Sequence, residues 1–231
     1  LYHVGVGPII ALPIVALVMF VFGWISYLLI IKRVIDNDMF VSLLATFGLS
    51  LFLQQVMNLI YGPEVQTIDS KFPIATMFDG FVTVPMAKVV SLLLAGGFAA
   101  LIVVFMKKSR TGQAIRATAQ DARAARVLGI NTDRIYAFTF SLNAAICGVA
   151  GVLVSIIWVL QPFYGIVYSL RTFAIVTAAG LGNLPAVIGV SFVLGWVEQY
   201  AGIIMGAEWQ IAAAVMVLLC LLYTSDAADD A

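Results

Sequence analysis

The strongest constraint on this chain is a series of apolar runs, each close to the roughly 20 residues a helix needs to cross a hydrocarbon core of about 30 Å. Pro8 to Ile31 is the first, closed by Lys32 and Arg33. Phe40 to Ile60 is the second. Val84 to Met106 is the third, interrupted only by Lys88, whose long side chain can snorkel to the interface. Ile135 to Leu160 and Pro185 to Met205 follow. Lipid offers no hydrogen bonds to a backbone, so apolar segments of this length fold as helices. A mean hydropathy of +1.08, with only 10% charged residues, points the same way. The expected fold is all-α, a polytopic transmembrane helix bundle in the lipid bilayer.

Charge orients such a bundle, because short segments rich in Lys and Arg stay in the cytoplasm. Residues 107–134, "KKSRTGQAIRATAQDARAARVLGINTDR", hold seven of the twelve Lys and Arg residues and two acids. This island is placed in the cytoplasm. Lys32 and Arg33 lie two spans earlier and fall on the same side. The connection from Tyr61 to Thr83 sets Glu64, Asp69 and Asp79 against Lys71 and falls outside.

Beyond residue 160 the pattern breaks. Gln161 to Leu170, with Pro162, Tyr164 and Gly165, is placed outside. Thr172 to Leu181 is too short for an upright span, and Gly180, Gly182 and Pro185 interrupt it. This Gly-rich, discontinuous segment reads as a half-helix, a re-entrant segment, or the inner part of a tilted span that begins near Ile166. We place "GLGNLP" inside and "GAEW" outside, with another span starting at Trp209. Small residues four apart, Ala144 with Gly148 and Gly202 with Gly206, read as ordinary close packing of membrane helices.

Within the island, Gly112 to Leu128 has the pattern of a short helix between two spans. Thr111 is a fair N-cap. Gly129 sits where a left-handed C-cap belongs, and Asn131 or Thr132 can cap the span that follows. Ala114, Ala117, Ala124 and Ala125 keep the helix thin enough to settle in a groove. Arg116, Arg123 and Arg126, with Gln120, can reach that groove's rim, where arginine pairs bidentately with carboxylates. A bare topology signal needs no capped helix. A lipid-binding helix needs a stronger apolar face than Ile115, Val127 and Leu128 supply.

The chain contains no Gly-x-x-x-x-Gly-Lys-Ser/Thr loop to cradle ATP phosphates. ATP-driven transport would therefore need a separate ATPase, with the island as its docking surface. An ion-coupled secondary transporter would use ionisable groups within its spans, and Glu198 is the acid well inside one. A channel would need a polar pore, for which Asn143, Gln161, Glu198 and Gln199 are few. One histidine and two cysteines provide no metal-ligand set, and no nucleophile–base pair marks an enzyme.

The stretch "RATAQDARAARVLGINTDRIYAFTF", with "AAICGVAGVL", "TAAGLGNLPAVIGVSFVLGWVEQY" and "SLLATFGLSLFLQQ", resembles the permease subunits of bacterial ABC importers for branched-chain amino acids. The resemblance covers most of residues 28–218 and is most specific over 116–153. ABC importers often carry Glu-Ala-Ala, three residues, then Gly in the cytoplasmic loop. Here Arg123, Ala124, Ala125 and Gly129 occupy those places, with arginine for glutamate and Thr139 where some importers have isoleucine. The resemblance implies a permease that pairs with a second related permease, above two ATPase subunits that bind the ATP. A periplasmic substrate-binding protein delivers the solute, and neither a cofactor nor nucleic acid is implied. It also implies a cytoplasmic-membrane location and a substrate that is a hydrophobic amino acid, with urea or short amides as the alternative. On this reading the ATPase-coupling residues are Gly112, Arg116, Asp121, Arg123, Ala124, Ala125, Arg126, Gly129, Asn131, Asp133 and Arg134. The candidate path residues are Asn143, Gln161, Gly180, Gly182 and Glu198.

The ending "CLLYTSDAADDA" resembles one reading frame of a sequencing adapter. We therefore expect residues 1–219 to be a partial permease domain, short of N-terminal helices and of its C-terminal end, and 220–231 to be a non-native tail. Without Asp226, Asp229 and Asp230 the acids fall from 12 to 9 against 12 bases, a formal charge of +3.

Overall fold

The computed structural model describes residues 8–34, 39–62, 74–77, 82–157, 164–180 and 184–206, together with a few positions between 209 and 220. The chain divides into two units, residues 1–160 and 161–231. In the first, α1 (Pro8–Ser26) continues through a single π-turn (Tyr27–Ile31) into α2 (Lys32–Val34). Then come α3 (Met39–Tyr61), strands β1 (Ile74–Met77) and β2 (Val82–Pro85), α4 (Met86–Lys108), α5 (Arg110–Gln120), α6 (Ala122–Val127) and α7 (Thr132–Ile157). The second unit contains α8 (Tyr164–Ala179) and α9 (Leu184–Met205).

Among the described residues, five helices are long and apolar enough to cross a membrane, and they coincide with the five expected spans. Their outward faces carry bare aliphatic and aromatic side chains such as Leu59, Leu92, Phe192 and Ile204, a surface suited to lipid rather than water. Several hydroxyls along these helices bond back to their own backbone, although Ser91 Oγ on α4 is buried without a partner among the described residues. Ser141 Oγ donates to Ala137 O at 2.7 Å, and Ser191 Oγ to Val187 O at 2.6 Å. Neither is left unsatisfied in an apolar surrounding.

The first unit is built on an antiparallel seam between α1 and α7. Tyr27 faces Phe140 across 6.2 Å between ring centroids. A Cβ added at Gly23 would stand 2.7 Å from Ala144 Cβ and 2.9 Å from Ser141 Cα, and one added at Gly148 would stand 2.6 Å from Met19 Cγ. The Ala144–Gly148 spacing is thus a close-contact face, as small residues permit. Phe138 joins Phe20 at 5.5 Å and Phe105 at 6.3 Å, which brings α4 to the same seam.

Two expectations change. The connection between α3 and α4 holds a small antiparallel hairpin, with Ile74 opposite Pro85 and Met77 opposite Val82. Its β-branched residues favour extended backbone. It takes the first residues of the expected third span, so α4 begins at Met86. The acids Glu64, Asp69 and Asp79 fall outside the described residues. Second, the island is two helices, because Asp121 breaks it. At φ −152° and ψ 105°, Asp121 ends α5 and its carboxylate caps α6, accepting from Arg123 N at 2.8 Å and Ala124 N at 3.0 Å. Capping by an Asp side chain competes with helix continuation, and here it wins over alanine propensity. In the second unit, α8 begins at Tyr164. The segment is therefore a 16-residue helix, shorter than the five helices of span length.

Candidate functional site

The end of the first unit where α4, α5, α6 and α7 meet gathers seven of the twelve Lys and Arg residues. Lys107 and Lys108 close α4. Ser109, rather than Thr111, caps α5, accepting from Gly112 N at 2.9 Å. The chain then folds back on itself. A Cβ at Gly112 would stand 2.5 Å from Met106 O and 2.7 Å from Met106 Cα, so only glycine lets α5 cross the end of α4 this closely. Ile115 and Thr118 form the buried edge of α5, and Arg116 points outward.

α6 stops in a paired-bond cap. Gly129 N donates to Arg126 O and Ile130 N donates to Ala125 O, both at 3.0 Å, with Gly129 at φ +84°. This is the Schellman arrangement, which satisfies the last carbonyls and needs a left-handed residue at this place. Asn131 then caps α7, its Oδ1 accepting from Arg134 N at 3.1 Å. Asp133 lies in the first turn, where the helix dipole favours an acid.

The four motif positions do different work. Ala125 is 1% exposed and anchors α6 on the unit, while Arg123 and Ala124 face outward. Arg126 is exposed but engaged by its own neighbours. Its Nε donates to Thr132 Oγ1 at 2.6 Å, and Nη2 lies 3.7 Å from Asp133 Oδ1, so it staples α6 to the start of α7. The outermost apolar groups are Val127, 89% exposed, and Leu128, 79% exposed. Two aliphatic side chains held in the open within a charged loop form a tip that the arginine-centred reading missed; only their place next to the glycine stop signals it. Lys32 joins this end, lining one shallow pocket with Arg126, Asn131, Thr132 and Asp133. The two basic segments assigned to one side by charge therefore do meet at one end.

The path candidates are dispersed. Asn143 is exposed on α7 and borders a cleft with Tyr27, Met106, Tyr136 and Phe140. Gly180 ends α8 at φ +78°. Gln161 and Gly182 lie outside the described residues. Glu198 is paired: its Oε1 stands 3.1 Å from Nε of Arg171 on α8. Sequence reasoning named the acid and passed over the arginine. The signal was present, since these two are the only charged residues between 135 and 207.

The family described as branched-chain amino acid transport system / permease component matches residues 1–224. The high-affinity branched-chain amino acid transport system permease protein LivH of Escherichia coli is 28% identical over 210 residues, covering 87% of this chain and 68% of the relative. The corresponding permease protein BraD of Pseudomonas aeruginosa is 28% identical over 193 residues, covering 79% and 62%. A probable branched-chain amino acid transport permease protein LivH of Methanocaldococcus jannaschii is 26% identical over 235 residues, covering 95% and 72%. No solved structure matches the chain.

Proposed function

The chain belongs to the branched-chain amino acid transport system permease family, and on that premise we propose that it is the membrane-spanning permease subunit of an ATP-driven ABC importer for branched-chain amino acids. A second, related permease completes the pathway, two ATPase subunits sit beneath the pair, and an extracytoplasmic binding protein delivers the solute. The α5–α6 end faces the cytoplasm and docks on the ATPases. One observation carries this reading: a charged end with no ATP-binding loop of its own is folded into two capped helices and presents Val127 and Leu128 to solvent. An apolar tip at the end that also carries the outward-facing Arg116 and Arg123 suits a groove with an acidic rim.

In this mechanism ATP closes the ATPase dimer and moves the docked helices. Because Ser109 ties α5 to α4, and Arg126 ties α6 to α7, the push enters both spans together. The bundle then switches between inward-open and outward-open states as packed bodies.

The test is reconstitution of the full-length permease with its ATPase, sister-permease and binding-protein partners in proteoliposomes. Leucine uptake should require internal ATP and external binding protein, and a Leu128→Cys variant should cross-link to an ATPase subunit. Uptake driven by an ion gradient without ATP would overturn the proposal.

A further inference from the structure

α8 and α9 pack together, and their apolar contact already includes Ala174, 4% exposed, and Leu194, 5% exposed. Into this contact the sequence places the only two charges between residues 135 and 207, Arg171 and Glu198. Arg171 lies seven residues after Tyr164, the start of α8, and Glu198 seven before Met205, the end of α9. At 1.5 Å per residue, each is about 10 Å inside its helix end. Charges at such depth are costly, and helix packing does not require them. Apolar residues of similar size serve a buried contact as well or better than an ion pair.

The pair is also incomplete. Arg171 Nε and Glu198 Oε1 are 3.1 Å apart and shielded from solvent, yet they lack the alignment of a hydrogen bond. The guanidinium is steadied on one side by the Tyr168 ring, 5.9 Å from its centroid. The two side chains keep 24% and 15% of their surface accessible, although the paired atoms themselves are covered. Their charges neutralise one another when nothing is bound, and each has hydrogen-bonding capacity to spare.

We infer that Arg171 and Glu198 form a zwitterion-reading subsite, in which the guanidinium takes an amino acid's α-carboxylate and the carboxylate takes its α-ammonium. This rests on the transport of amino acids proposed above. The two charges of an amino acid hang on one carbon, so groups that read both must lie side by side, as these do. Opening the pair to admit a zwitterion exchanges one ion pair for two, and no buried charge is left alone. The planar guanidinium fork matches a carboxylate, and the neighbouring apolar surface of α8 and α9 suits an aliphatic side chain.

The first test uses the unaltered complex. L-leucine should slow the modification of Glu198 by a hydrophobic carbodiimide, read by mass spectrometry, whereas 4-methylpentanoate, which lacks the ammonium, should not. Equal labelling with and without saturating leucine overturns the inference. The second test is Arg171→Met combined with Glu198→Leu. A packing pair would tolerate this change in both assembly and uptake. A reading pair should still assemble with its partner subunits, while leucine kcat/KM falls by about 100-fold. Wild-type uptake in the double variant overturns the inference, and failure to assemble shows that the ion pair itself is needed to hold the subunit together, which also counts against it. If the unaltered complex moves no leucine at all, the functional reading fails, and that outcome is distinct from either result above.

Discussion

Two glycines at the charged end are required for opposite reasons, and the difference can be measured. Gly129 has a left-handed backbone, and nothing lies within 4 Å of the place a Cβ would take. Its requirement is purely conformational, and a β-branched residue there should cost about 1–2 kcal/mol. Gly129→Val should therefore insert in the membrane and assemble, but lose substrate-stimulated ATP hydrolysis because the tip at Leu128 is re-aimed. Gly129→Asn, which tolerates this conformation better, should recover much of the stimulation. Full stimulation in the valine variant would remove this position from the coupling surface. Gly112 has the reverse character. Its backbone is helical, but Met106 leaves no room for a Cβ. Gly112→Ala should lower the melting temperature of the detergent-solubilised complex, since overpacking of this kind costs about 1–3 kcal/mol. An unchanged melting temperature would mean that α5 can lift from α4 freely. The left-handed stop was legible in the sequence because glycine after an alanine-rich run has few other uses. The close approach at Gly112 was not, since it depends on where the chain turns back.

At the scale of elements, the spans were readable because length and apolarity alone decide them in lipid. Met39–Tyr61 and Leu184–Met205 fall within a residue of the expected Phe40–Ile60 and Pro185–Met205. The island was harder. Local propensity runs through Asp121 without a break, and only the side chain's capping chemistry divides α5 from α6. The Arg171–Glu198 pair was half-legible, because partners 27 positions apart meet only when α9 packs on α8. Asp121→Ala removes the cap of α6, worth about 1 kcal/mol, and lets the two helices fuse. Spin labels at positions 113 and 127 would then approach the roughly 21 Å of a straight helix. A distance distribution unchanged from wild type would show that the bend is held by tertiary contacts and not by the cap.

For the molecule as a whole, the charge pattern predicts an orientation that labelling can check. Single cysteines at positions 120 and 69, with Cys147 and Cys220 replaced by serine, should react from opposite faces of the membrane. Reaction of both from outside would invert the topology. The seam between α1 and α7 has a further, mechanical consequence. Gly23 and Gly148 seat each helix against the other with no spare volume at either point, so the two cannot slide and behave as a single beam. The 26 residues of α7 make that beam about 39 Å long. A tilt of about 5° imposed at the charged end would swing the far end through roughly 3 Å, with α1 carried along. The stroke is then fixed by beam length, not by the softness of the contacts. Removing one helical turn from α7 would shorten it by about one-seventh.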